Sequence, residues 1–144
     1  MWRRRPVIAL HWAVVLVVLA MTEGGSGAPG LRWAFTVLAA LWLGVMLVGG
    51  PLGRPGPKLT GAARAMYRPM HLALYALLGI TATLNGAELL GLIGPGPAFT
   101  AVLILLVSGL LHGLFHLWRH TTLYDGALRI MTPAFFTNTF EYRK

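Results

Sequence analysis

Five histidines are the side chains of this sequence best suited to chemistry. They are His11, His71, His112, His116 and His120, and they stand in or beside long apolar stretches. An imidazole ring binds metal ions, makes hydrogen bonds and carries protons near neutral pH. Because a polar ring buried in hydrocarbon loses its hydration without compensation, such a ring is expected to have a ligand or a partner.

His11 and His71 are predicted to lie at similar depths on two different helices. His11 stands about five residues into the first apolar stretch, and His71 stands about two to five residues into the third. At 1.5 Å per residue, both rings would lie roughly 3 to 8 Å below the membrane boundary. In an up-down bundle the first and third helices are parallel and diagonal, so these two rings suit the axial positions of one haem iron.

The other three histidines recur every four residues in the fourth apolar stretch and form one stripe on a helix. His112 is a candidate ligand for a second haem, and His116 ranks below it. His120 lies beside Arg119, where a position at the lipid headgroups is favoured. Zinc is a rival for clustered histidines, but it requires three or four close ligands and no acidic residue lies in any apolar stretch, so haem is favoured.

The elements that must position these histidines are four apolar stretches. Hydrophobic residues make up 56% of the 144 residues and charged residues 11%, which excludes an ordinary soluble domain. Each stretch is close to the length of about 20 residues that spans a bilayer. The sequence predicts an all-α transmembrane up-down four-helix bundle in a single domain 1–144. The predicted helices are 6–22, 31–50, 66–85 and 98–119, with a C-terminal cytoplasmic tail at 120–144.

The distribution of basic residues predicts the orientation. The connector between the second and third stretches carries Arg54, Lys58, Arg64 and Arg68, whereas the first and third connectors are nearly without basic residues. By the positive-inside rule, both termini are cytoplasmic. The net charge of +8 reflects this orientation in the membrane, and nucleic acid is not expected as a partner.

The first stretch is interpreted as a retained helix, since no convincing cleavage pattern follows it. The absence of cysteine excludes covalent haem attachment through Cys-x-x-Cys-His.

Several short motifs resemble the bacterial cytochrome b561 family. These are ALHW at 9–12, MHLALY at 70–75, and LH at 111–112 followed eight residues later by His120, with Asp125, Leu128 and Met131 continuing the match into the tail. Members of that family are four-helix, di-haem membrane proteins that exchange electrons with quinone. The resemblance implies that His11 and His71 hold a haem b on the cytoplasmic side.

The sequence also departs from the family pattern. The second helix, 31–50, contains no histidine, so His112 lacks its expected partner for an outer haem. Arg68 stands where a second histidine of the third helix is often found, and the outer loop 85–97 is shorter than usual. One haem on His11 and His71 is therefore expected, while a second haem at His112 stays open.

The sequence thus predicts a b-type cytochrome of the bacterial inner membrane that relays electrons between the quinone pool and a redox partner. Arg68 is a candidate to pair with haem propionates, and Tyr75 is a candidate to hydrogen-bond a propionate or a quinone carbonyl. Superoxide oxidation, also implied by the resemblance, ranks below electron relay. The alternative is a small accessory subunit of a larger respiratory or photosynthetic membrane complex, with haem reduced in number or lost. The aromatic tail 135–142 would be an interfacial anchor or a docking segment.

Overall fold

The structure, a computed structural model, describes residues 4–24, 27–51 and 53–131. Within these residues it is all-helical, as predicted. The four long helices are α1 (Arg4–Thr22), α2 (Pro29–Gly49), α3 (Gly61–Leu89) and α4 (Pro97–Thr122), and a short 3₁₀ helix (Ala127–Ile130) follows. The aromatic tail at 135–142 lies outside the described residues.

All four long helices are long and apolar enough to cross a membrane. The shortest, α1, has 19 residues and a length of about 28 Å, close to the thickness of the hydrocarbon core. Their outward faces carry large apolar side chains such as Leu16, Leu103 and Leu110, which are 40–62% exposed. Such surfaces are unfavourable in water but are suited to contact with lipid. The chain therefore belongs to the class of multi-pass membrane proteins.

Each helix packs mainly against the next one along the chain, while α1 and α4 contact each other only sparsely. The buried core lies between the helices and consists of small and medium-sized apolar residues around Phe35. Because lipid is as apolar as these side chains, the close fit of their surfaces is what holds the helices together. The core residues are Val14, Val18, Met21, Phe35, Ala39, Leu78, Ala82 and Val102.

Helix α3 is longer at both ends than the predicted range 66–85. It begins at Gly61, contains Pro69 in its interior and continues past the Asn85-Gly86 pair to Leu89. Asn-Gly often ends a helix, but the Asn85 side chain is fully buried and donates to the Arg32 carbonyl oxygen (2.8 Å) and the Thr36 hydroxyl (2.9 Å). These contacts with α2 use Asn85 as a bridge between helices rather than as a helix stop.

The end of the bundle next to Asn85 is held by a paired charge. Arg32 and Glu88 form a salt bridge of 2.7 Å, and the Arg32 Nε also donates to the Asn85 Oδ1 at 2.8 Å. The other Glu88 oxygen accepts the backbone N–H of Ala98 at 2.7 Å, which places a carboxylate at the positive end of α4. Arg32 of α2 and Glu88 of α3 thus neutralise each other, and Glu88 also binds the start of α4.

At the opposite end, the segment after α4 returns to α1. The Arg4 guanidinium donates to the Arg129 carbonyl oxygen at 2.7 Å, and the Trp12 indole N–H donates to the Met131 carbonyl oxygen at 2.9 Å. The beginning of α1 and the residues that follow α4 therefore lie at the same end of the bundle.

Candidate functional site

An apolar cavity of about 470 Å³ lies where α1 and α4 are only sparsely in contact. His11 from α1, His71 from α3 and His112 from α4 all line it. Valine and leucine side chains form most of the remaining wall, so the three imidazoles are its main polar groups. Residues from all four long helices, together with Met131 after α4, meet around this space.

His71, His112 and His116 form a compact group beside the cavity, which we call the histidine triad. One ring nitrogen from each residue lies within 4.8 Å of those of the other two. The Nε2 atoms of His71 and His116 are 3.4 Å apart, and the ring centroids of His71 and His112 are 4.8 Å apart. His112 and His116 are one helical turn apart on α4, so α4 presents both rings to His71 on α3. A group of this kind fits metal binding.

The backbone of α3 sets the protonation of His71. Its Nδ1 lies 2.6 Å from the carbonyl oxygen of Tyr67, one turn earlier in the helix. Because a carbonyl oxygen can only accept, Nδ1 carries the proton, and in the neutral ring Nε2 keeps its lone pair. This arrangement is common in histidines that bind metals, since the second nitrogen is oriented by a hydrogen bond to the backbone. The Nε2 lone pair of His71 therefore faces the ring of His116.

Other polar atoms around the cavity are buried without hydrogen-bond partners among the described residues. They include the Nδ1 atoms of His11, His112 and His116 and the indole nitrogen of Trp42. Leaving a buried polar atom unpaired costs about 1–3 kcal/mol, so four such atoms at one place are unfavourable for a purely structural core. Their concentration here is compatible with a region that binds a ligand.

Helix α2 has no histidine, but it places the indole ring of Trp42 in the cavity wall. The Trp42 ring makes edge-on contacts with His11 (5.3 Å between centroids) and with Tyr75 (5.8 Å), and all three side chains line the cavity. The contact fixes the orientation of the His11 ring. The role of Trp42 could not be predicted from the sequence. No sequence motif tells whether a tryptophan in an apolar helix lines a cavity or faces lipid.

Two glycines flatten the α4 side of the cavity. Gly109 and Gly113 both line it, and a Cβ atom added at either position would meet no atom within 4 Å. At Gly79, by contrast, an added Cβ would lie 3.5 Å from Leu43, where α2 and α3 are in contact. Within the described residues, Gly109 and Gly113 therefore widen the cavity and do not bring two helices into close contact.

The structure thus brings most of the sequence-predicted site residues together. His11, His71, His112 and Tyr75 line the cavity, and His116 completes the triad with His71 and His112. Arg68 is exposed and is not among the residues that line the cavity. His120 belongs to neither the cavity lining nor the triad.

A buried ion pair adjoins the triad. Arg119 is 1% exposed, and its Nε and Nη2 atoms donate to the same Asp125 oxygen at 2.8 and 2.5 Å. Its guanidinium group lies over the Tyr67 ring at 5.1 Å, and the same ring is 4.3 Å from the His71 ring. Asp125 also accepts the backbone N–H of Ala127 at 2.9 Å. Tyr67 therefore links the ion pair to His71, a connection that the sequence analysis did not predict.

Comparisons with protein-family models, with curated proteins and with solved structures found no match for this chain. Its class accordingly rests on the fold and the site. The part of the chain that the structure describes is all-helical, with four helices able to span a membrane, and it contains a histidine triad beside an apolar cavity.

Proposed function

We propose that this protein is a membrane b-type cytochrome that relays electrons between the quinone pool and a redox partner, with haem b in the cavity between α1 and α4. The observation that carries the proposal is that histidines from three different helices, His11, His71 and His112, line the same apolar cavity. An apolar space with imidazoles on opposing helices is what a non-covalently bound b-type haem requires.

The shape and the lining of the cavity are compatible with haem. Its volume of about 470 Å³ falls within the range of roughly 300–1,000 Å³ that is usual for cofactor sites. Gly109 and Gly113 leave two positions of the α4 wall without side chains, which gives room for a flat macrocycle. The valines and leucines exclude water, and exclusion of water is one of the means by which a protein sets a haem potential.

We assign His11 and His71 as the axial ligands, with His112 as the alternative partner. The Nδ1 atom of His71 is occupied by the Tyr67 carbonyl oxygen, so iron would bind Nε2 in place of the contact between that atom and His116. The His11 ring makes edge-on contacts with Trp12 (5.7 Å) and with Trp42 (5.3 Å). Because His11, His71 and His112 share a single cavity, one haem is proposed rather than two.

When bound, haem supplies a one-electron couple, and the chain supplies its surroundings. The cavity opens to the outer surface of the bundle beside Leu110 and Leu114, both 59% exposed. A lipid-soluble quinone would therefore approach from the bilayer, with Tyr75 as a hydrogen-bonding group in the cavity wall. Arg68, which is exposed, would contribute positive charge rather than a direct contact inside the cavity.

The proposed setting is the bacterial inner membrane with both termini in the cytoplasm. Basic residues in the second connector support this orientation. At the opposite end, Arg32 and Glu88 are paired with each other, so they offer no support for a superoxide-oxidising site there. Electron relay remains the proposal.

The direct test is a reduced-minus-oxidised absorption spectrum of the protein purified from a haem-producing host. A bis-histidine b-type spectrum is expected for the wild type. The His11→Ala variant should lose that spectrum, because one axial ligand is removed, whereas His120→Ala should keep it. A wild-type protein that folds but carries no haem would refute the cytochrome proposal.

Filling the cavity should exclude haem without disturbing the helices. A leucine at position 113 projects into open space, so Gly113→Leu is expected to reduce haem content at least about tenfold while helix content stays unchanged. Gly44→Leu is the matched control, because Gly44 is also helical and open but lies outside the cavity. Haem per chain and circular dichroism measure the two effects. Equal haem content in both variants would place haem elsewhere.

A further inference from the structure

We propose that His71, His112 and His116 form a mononuclear site for a tetrahedral transition-metal ion such as Zn²⁺, and that this site shares His71 with the proposed haem, so that the two ligands exclude each other. The ligand nitrogens lie within 4.8 Å of one another, so small side-chain rotations would bring all three to one ion. The inference does not rest on the proposed function, since the triad would bind an ion whether or not the chain also binds haem.

The spacing of His71 and His116 is that of two neighbouring ligands of a tetrahedral ion. With metal–nitrogen bonds of about 2.0–2.1 Å and tetrahedral angles, two ligand nitrogens are roughly 3.3–3.4 Å apart. The Nε2 atoms of His71 and His116 are 3.4 Å apart. Two axial ligands on opposite sides of an iron would instead be separated by roughly twice the bond length, or about 4 Å. The observed distance therefore matches two neighbouring ligands of one ion, and in the absence of an ion the two rings are within hydrogen-bond distance of each other.

The way the chain presents the triad is also suited to an ion. Two histidines four residues apart on one helix face, as at 112 and 116, form a recurrent half of zinc sites. His71 supplies the third nitrogen from α3, with its lone pair oriented by the Tyr67 carbonyl oxygen at 2.6 Å. The sequence alone disfavours zinc, because zinc requires three or four close ligands, but the packing of α3 on α4 supplies three.

The surroundings of the triad limit which group can be the fourth ligand of the ion. The nearby carboxylate of Asp125 is already bound to Arg119, so it is not a free ligand for the ion. His71 and His112 line the cavity, which leaves the open coordination position on that side. Three histidines with one open position can bind a water molecule or an exogenous ligand. Imidazole ligands suit Zn²⁺, Cu²⁺, Ni²⁺ and Fe²⁺, and Zn²⁺ has no conflicting geometric preference.

The ion and the proposed haem would compete for His71. Its Nε2 atom has one lone pair, so it binds either the ion or the haem iron. His116, however, belongs to the triad and is not an assigned haem ligand. The His116→Ala variant therefore separates the two sites, because it should lose the ion and keep haem.

The test uses full-length protein produced in cells that cannot synthesise haem, purified in detergent and dialysed against Zn²⁺. Metal analysis should find one Zn²⁺ per chain. His116→Ala and His112→Ala should each weaken Zn²⁺ binding at least about tenfold, and His120→Ala, one turn further along α4, should bind like the wild type. Circular dichroism and size-exclusion chromatography verify that each variant is folded. Failure of the wild type to bind Zn²⁺, or undiminished binding by both triad variants, would overturn the proposal.

A second measurement distinguishes this proposal from the haem proposal. Haemin is added to the same preparations with and without one equivalent of Zn²⁺. Zn²⁺ should lower haem uptake by the wild type and leave uptake by His116→Ala unchanged. Zn²⁺ binding without any haem uptake would support the triad and contradict the cytochrome alone. Haem uptake that Zn²⁺ does not alter, in a wild type already shown to bind Zn²⁺, would contradict the shared use of His71.

Discussion

The His71→Ala variant is expected to lose both haem and Zn²⁺, a larger effect than that of any other single histidine replacement. His71 lines the cavity and also belongs to the triad, so its ring is the proposed ligand in both sites. Haem content by absorption and Zn²⁺ content by metal analysis should each fall by more than about tenfold, because a ligand is removed outright rather than a supporting contact.

The result for His71→Ala is informative only beside variants that remove one function each. His11→Ala should lose haem and keep Zn²⁺, while His116→Ala should do the reverse. Haem retained by His71→Ala but lost from His112→Ala would move the axial role to His112, the alternative that lines the same cavity. Zn²⁺ retained by His71→Ala would contradict the triad.

Breaking the Arg119–Asp125 pair is expected to give the largest loss of stability. Both side chains are 1% exposed, and Asp125→Asn would leave the guanidinium charge buried without its counter-charge. Removal of one member of a buried ion pair costs about 3–5 kcal/mol. The free energy of unfolding in detergent, measured with a chemical denaturant, should fall by about that amount.

Two further variants control for the chemistry of this pair. The double replacement of Arg119 by Met and Asp125 by Leu removes both charges, so it should recover much of the stability that Asp125→Asn loses. Arg129→Met removes an exposed arginine at the same end of the bundle and should change stability by less than about 0.5 kcal/mol. Equal losses in Asp125→Asn and Arg129→Met would mean that the buried pair has no special contribution.

Gly56, in the connector between α2 and α3, packs against the Arg119–Asp125 pair. A Cβ atom added there would lie 3.0 Å from an Asp125 oxygen and 3.2 Å from the Arg119 Nη2 atom. The connector between α2 and α3 therefore passes directly over the ion pair and shields it from solvent. This close approach explains why two charged side chains at the end of a helix are almost fully buried.

The four helices could be predicted because hydrophobic length is a local property. Each apolar stretch is long enough by itself to span a bilayer, so its existence does not depend on its neighbours. The ends of α3 could not be predicted from hydrophobic length. Asn85 continues the helix because it hydrogen-bonds to α2, and no local pattern encodes that contact.

The site was predictable only in part for a related reason. His11 and His71 could be matched by depth, since depth follows from position along a helix. The approach of His116 to His71 depends on how α4 is rotated against α3, and that rotation is set by the packing of the whole interface. Asp125 likewise reaches Arg119 only because the chain turns back after α4. Its sequence position gives no indication of an ion pair.

The hydrogen bond from Trp12 to the Met131 carbonyl oxygen bears on the order of biosynthesis. Met131 also lines the cavity, so the wall is complete only when a residue near the end of the described chain has reached the first helix. A growing chain that has inserted α1, α2 and α3 still lacks both His112 and this closing contact. The complete cavity therefore forms only after translation of the last helix and of the residues that follow it.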